Sequence, residues 1–180
     1  MFAPDYPIVG ARLLLRPLDA ERDSAAVYAY QSRPDVCRYI PYEPRTLDEV
    51  RAKLTDTGVS RSTLEREGQV LHLAVVVRET EELVGDVILA WRSEAHRSGE
   101  LGYVLHPAAQ GHGYATEAVG LLLGLAFDGL GLHRVTARID ARNTASAAVL
   151  RRAGFRQEAV LLENEWFKGE WTDEIDFAIL

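Results

Sequence analysis

Apolar positions change their spacing along the chain, and each change marks an element. Arg12–Leu18 is a short apolar run closed by Pro17 and reads as a strand. Asp19 then offers an N-cap for a helix through Gln31, with Ala26, Val27 and Tyr30 on one face. Three prolines between Pro34 and Pro44 predict a loop anchored by aromatic residues. Thr46 and Glu49 have the spacing of a capping box, which opens a helix at Leu47 that runs to about Leu54, with a further turn or two up to Leu64. Val70–Arg78, Leu83–Trp91 and Gly99–Leu105 follow as three strands joined by short polar links, so they pair antiparallel. After Gly113 the period becomes helical. Ala115, Ala118, Val119, Leu122, Leu123 and Ala126 form one stripe, ended by Gly129 and Gly131. Gly120 and Gly124 interrupt it and suggest close packing on a sheet. His133–Asp140 alternates as a strand, and Asn143–Ala153 is a helix stopped by Gly154. Phe155–Leu162 and Glu174–Leu180 are the last strands. The resulting order, β-α-α-β-β-β-α-β-α-β-β, is an α+β mixed sheet, mostly antiparallel and flanked by helices.

Composition narrows the class. A chain of 180 residues with 47% hydrophobic and 26% charged positions suits one globular domain spanning 1–180. The lone Cys37 cannot form an internal disulfide and points to a reducing, cytoplasmic setting. No apolar run approaches the ~18 residues of a membrane span, so no membrane partner is expected. A net charge of −7 argues against nucleic acid. The charge is nevertheless segregated. Residues 134–156 hold six arginines against Asp140, and residues 157–180 hold seven acids against Lys168. Such patches are either solvated faces or the seats of an anionic and a cationic ligand. The five histidines lack metal-ligand spacing, so no metal is expected.

The most informative segment is Gln110-Gly111-His112-Gly113-Tyr114-Ala115-Thr116, between a strand and a helix. Glycines at such a turn let backbone N–H groups converge, and the helix dipole adds roughly half a positive charge, which suits a diphosphate. A P-loop is excluded by the missing GK[ST], and a dinucleotide fingerprint by Thr116 where glycine is needed.

Gln110-x-x-Gly113-x-Ala115 resembles the pyrophosphate loop of the GNAT N-acetyltransferases. Asn143-x-x-Ser146, Leu150 and Gly154-Phe155 resemble a block of that family's RimJ/RimL-type branch, as do the opening strand Arg12–Pro17 and Gly99-Glu100-Leu101-Gly102-Tyr103. These segments occur in the family's order from residue 12 onward. The resemblance implies a GNAT-like sheet and transfer of an acetyl group from acetyl-CoA to a primary amine, either a peptide N-terminus or a small molecule. It implies pantetheine contacts at Val104, Leu105 and Asn143, and diphosphate contacts from Gln110 and Gly111 through His112, Gly113, Tyr114 and Ala115 to Thr116. Arg151, or alternatively Arg142, would meet the adenosine phosphates. Many GNAT members place a tyrosine acid four residues before the Gly-Phe pair, where this chain has Leu150; in the RimJ/RimL branch Ser146 takes that role. Glu165 is the implied base and Glu100 its rival. A homodimer is also implied. The alternative is a CoA-binding module of the same fold without turnover.

Overall fold

The computed structural model describes residues 1–56 and 61–180. Among the described residues eight strands form one sheet: β1 (Ile8–Val9), β2 (Leu13–Pro17), β3 (Val70–Val77), β4 (Leu83–Ser93), β5 (Ser98–Leu105), β6 (Arg134–Asp140), β7 (Arg156–Phe167) and β8 (Glu170–Ile179). Their order across the sheet is β1-β2-β3-β4-β5-β6-β8-β7, with only β5 and β6 parallel. Among the described residues the α-helices are α1 (Ala20–Gln31), α2 (Pro34–Cys37), α3 (Leu47–Thr55), α4 (Tyr114–Gly124) and α5 (Thr144–Arg152).

The caps act where the sequence offers them. The Asp19 side chain accepts from Arg22 N at the head of α1, and both halves of the Thr46/Glu49 capping box are made. Two elements were not expected: the two-residue strand β1 and the single turn α2 inside the proline-bearing loop, where Pro34 occupies the first turn. Of the extra turns expected after α3, residues 57–60 lie outside the described residues. Arg61 and Leu64 bridge to Leu71 and Phe2 instead of continuing a helix.

The main core lies between one sheet face and helices α4 and α5. The α4 stripe, with Ala118, Val119 and Leu122 fully buried, packs against Leu13, Leu15, Leu73 and Leu89. Gly120 and Gly124 do not serve that packing. A Cβ on either would meet nothing within 4 Å, so they sit on the solvent side of the helix. On the opposite sheet face α1 and α3 enclose a smaller cluster of Val27, Tyr30, Val50 and Leu54. Beside it lies a buried polar group. Asp86 of β4 accepts from the Tyr30 hydroxyl (2.5 Å) and Gln31 Nε2 (3.3 Å), and it meets His72 Nε2 at 3.1 Å.

The segregated charges are largely engaged in ion pairs, some between the two stretches and some local. Arg138 pairs with Asp176, Arg134 and Arg156 with Glu158, and Arg142 with Asp140 and Glu170. Much of this charge pattern therefore encodes internal pairing, while Arg152 and Glu165 form no ion pair among the described residues. Antiparallel pairing of β8 with β6 and of β7 with β8 folds the acidic stretch back onto the basic one.

Candidate active site

The site begins where the sheet opens. Parallel pairing of β5 with β6 covers only Ser98–Glu100 against Arg134–Thr136, although β5 continues to Leu105 and β6 to Asp140. Beyond Glu100 the two strands part, which leaves this edge of β5 without a strand partner. A cleft of about 570 Å3 fills the gap. One wall is Tyr103, Val104 and Leu105 of β5, and the other is Asn143, Ser146 and Val149 at α5.

At one end of the cleft stands the head of α4. Gly111 and Gly113 both adopt left-handed backbone (φ +79° and +77°), a region where glycine carries no steric cost. Gly113 is the N-cap and offers no side chain, so the first-turn N–H groups of α4 face the cleft without a side-chain cap. The turn is held from behind. Glu117 accepts from the backbone N–H groups of Arg12 and Leu13, and the Arg12 guanidinium reaches the His112 carbonyl at 2.7 Å and Glu117 at 2.9 Å. These contacts join residues about 100 positions apart, so no local sequence signal could have announced them.

Most of the residues expected at the cofactor line this cleft: Val104, Leu105, Gln110, Gly111, Gly113, Tyr114, Ala115, Thr116 and Asn143. Two do not. The His112 ring turns outward, stacked on Tyr114 at 5.5 Å with its Nδ1 2.8 Å from the Gln110 carbonyl. Arg151 points away, donating to Gln157 Oε1 and lying over the Phe177 ring. Its neighbour Arg152 lines the cleft instead, close to the Thr116 hydroxyl at 3.4 Å. One helical step of 100° separates the two arginines, and periodicity alone did not tell which faced the opening. Arg142, the other candidate, is spent on Asp140 and Glu170.

Asn143 caps α5 by accepting from Ser146 N at 3.1 Å, which fixes the first turn that carries the serine. The Ser146 hydroxyl lies 2.7 Å from the Tyr103 hydroxyl across the cleft wall. The motif Gly99–Tyr103 assigns Tyr103 no chemical role by itself.

A second pocket, of about 250 Å3, adjoins the first, with Tyr39 lining both. Four carboxylates, Glu100, Asp140, Glu165 and Glu174, border it against one cation, Arg138. Three of these acids have basic partners: Glu100 with Arg92, Asp140 with Arg142, and Glu174 with Arg138. Burial would raise the Asp140 carboxyl, but hydrogen bonds from Arg142 outweigh it and the group is held low. Among the described residues, no side-chain partner engages the Glu165 carboxylate. The roof of this pocket is pinned by Lys168, in the β7–β8 turn, which donates to the carbonyls of Cys37 (2.7 Å) and Tyr42 (3.0 Å). The arrangement sets hydroxyl proton donors in one pocket beside proton-accepting carboxylates in the next.

Residues 12–156 match the family model described as Acetyltransferase (GNAT) domain. The chain is 32% identical over 169 residues to the uncharacterized N-acetyltransferase p20 of Bacillus licheniformis, covering 94% of this chain and 93% of that one. It is 28% identical over 99 residues to the spermidine N(1)-acetyltransferase of Vibrio cholerae, covering 55% and 57% of the two chains. Among solved structures, a GNAT-family acetyltransferase from Bacillus anthracis superposes with a TM-score of 0.84 at 29% identity, covering 100% of this chain and 98% of that one.

Proposed function

Because the chain belongs to the GNAT acetyltransferase family, we propose that the cleft between β5 and α5 holds acetyl-CoA and that the acidic pocket beside it receives the amine. The protein is an N-acetyltransferase, moving the acetyl group of acetyl-CoA to an amine. In the proposed arrangement the pantetheine arm pairs with the free edge of β5 at Val104 and Leu105 and with Asn143. The diphosphate rests on the N–H groups from Gly111 to Thr116, and Arg152 replaces Arg151 as the nearby cation. Glu165 takes the ammonium proton, with Glu100 as the rival, and Ser146 donates to the departing thiolate. The observation that carries this reading is the parting of β5 and β6 directly in front of an uncapped helix terminus.

The acceptor we favour is a small amine carrying additional positive charge. Glu165 is left without a basic partner among the described residues and suits a cationic amine, and the similarity to a spermidine N(1)-acetyltransferase supports a polyamine over a peptide N-terminus. The Asn143-x-x-Ser146 block supports a RimJ/RimL-type branch, acting as one cytoplasmic domain over residues 1–180. A homodimer through the exposed edge strand β7, where Leu162 and Trp166 stand in solvent, completes the reading. Sedimentation at micromolar concentration should give twice the chain mass, and a monomer would refute the pairing.

The cofactor site is tested at Gly113. A Cβ there would meet only Arg12 Nη2, at 3.4 Å, and the left-handed backbone adds a strain of roughly 1–2 kcal/mol. Gly113→Val is therefore expected to fold but to lose its stabilisation by CoA. In the parent protein that stabilisation is about 2.7 kcal/mol at 100 times Kd. Unchanged thermal shifts with CoA would refute the proposed diphosphate seat. A screen of acetyl-CoA consumption against polyamines, amino acids and N-terminal peptides identifies the acceptor; turnover confined to peptides would overturn the polycation reading.

A further inference from the structure

A phenol carries one proton and can make one donation. The Tyr103 hydroxyl has two acceptors to choose from, and both belong to Ser146: the side-chain oxygen at 2.7 Å and the backbone carbonyl at 3.2 Å. If the phenol serves the carbonyl, the serine hydrogen turns toward the phenol oxygen. The serine proton is then held inside the pair. If the phenol turns to Oγ, the serine hydrogen is released to point into the cleft. The two arrangements differ only by rotation of two hydroxyl hydrogens, and the shorter contact lies at the usual distance for an O–H···O bond in either case.

Proton affinity decides what the pair can do. A thiol titrates near 8.5 and a phenol near 10, so a phenol is a reasonable source of the proton a leaving thiolate needs. An aliphatic hydroxyl is a far weaker acid and cannot supply that proton unless its oxygen is reprotonated at the same time. We propose that Tyr103 is a positioning residue that orients the Ser146 hydroxyl and resupplies its proton, so that the two hydroxyls work as a single donor to the thiolate of CoA.

In this sequence the carbon–sulfur bond of the tetrahedral adduct breaks and sulfur keeps the electron pair. The serine proton moves to sulfur, and the phenol proton moves to Oγ. The amine gives up two protons, one to the base before it attacks and one from the adduct nitrogen as the amide forms. Water takes up both and reprotonates the phenolate, so that one proton ends on sulfur and one is released. Burial pushes the Tyr103 phenol up and keeps it protonated in the resting enzyme. The Ser146 contact and the Arg152 charge act in the opposite direction, and Arg152 reaches the same wall from α5. The cleft also explains how Leu150 is tolerated. That side chain is fully buried in the core, while a hydroxyl from the facing strand stands on the cleft wall.

The proposal rests on Ser146 being the donor, so both residues are tested in one cycle: Tyr103→Phe, Ser146→Ala and the double variant. The readouts are kcat, the Kd for acetyl-CoA and the pH–rate profile. Tyr103→Phe keeps the ring and its packing. It should lower kcat on the order of 10²-fold with Kd unchanged, and the double variant should be no slower than Ser146→Ala alone. Full activity in Tyr103→Phe overturns the relay and leaves the serine assignment standing. Full activity in Ser146→Ala overturns both. Losses that multiply in the double variant also overturn the relay, because they mean two independent contributions. Should the Phe variant fail to fold, 3,5-difluorotyrosine at position 103 keeps the hydroxyl and makes it more acidic. The alkaline limb of the profile should then move to lower pH, and an unmoved limb would assign Tyr103 a purely structural role.

Discussion

Asp86→Ala should cost about 3–5 kcal/mol of folding stability, the range for removing one partner of a buried charged network. Asp86 is 5% exposed, and its carboxylate is shared by Tyr30, Gln31 and His72. Alanine would take this partner from the Tyr30 hydroxyl, Gln31 Nε2 and His72 Nε2 inside the protein. Burial alone would raise this carboxyl, but the His72 hydrogen bond and charge, with Lys53 and Tyr30, outweigh it and hold the group at about 2. The folded value is thus depressed below the ordinary value of 3.8 for this carboxyl. The stability this group contributes is complete above about pH 4 and is lost as the pH falls toward 2. Urea unfolding across that window should show a steeper acid loss in the parent than in Asp86→Asn, whose amide cannot titrate. Identical acid profiles would show that the network does not hold the carboxylate ionised.

The effect extends to the site. Gln31 belongs to the same network and accepts from Arg45 through both its side chain (2.8 Å) and its carbonyl (2.9 Å). Arg45 closes the segment that carries Tyr39, which lines both pockets. A partly folded Asp86 variant should therefore lose acceptor affinity before it loses the cleft at α4, which is fastened separately by Glu117.

Ser146→Ala and Glu165→Gln should each lower kcat and kcat/KM together, by 10²–10⁴-fold, the typical range for losing a general acid or base. That loss corresponds to about 3–5 kcal/mol of barrier. The Kd for acetyl-CoA should stay nearly constant, because both groups act on charge that develops during reaction. Glu165→Gln should also remove the acidic limb of the pH–rate profile. Glu100→Gln is the control. Its carboxylate is already engaged by Arg92 at 3.1 Å, whereas Glu165 has no such partner among the described residues. If the limb disappears only in Glu100→Gln, the base lies on β5. If neither variant matters, the amine arrives neutral and positioning supplies the rate. A loss below about tenfold in Ser146→Ala would return that serine to its role within α5.

What the linear sequence determined here is whatever depends on neighbours within a turn or two. The capping residues Asp19, Thr46 and Asn143 sit at the helix starts because their side chains satisfy N–H groups two or three positions away. The α4 stripe, the three linked strands and the glycine turn before α4 were legible for the same reason, and the family motif followed from them. The strand β1 was not legible, since two residues carry no period. Neither was the solvent-facing side of Gly120 and Gly124. Only the tertiary structure decided the rest, because it sets distances between residues far apart in the chain. Antiparallel return of β7 and β8 brought the acidic stretch within ion-pair distance of the basic one, as at Arg138–Asp176 and Arg134–Glu158. The orientation of α5 turned Arg152, not Arg151, into the cleft. The parting of β5 from β6 after Glu100 opened that cleft and brought Tyr103 within 2.7 Å of a serine 43 residues away, a contact that no local pattern encodes.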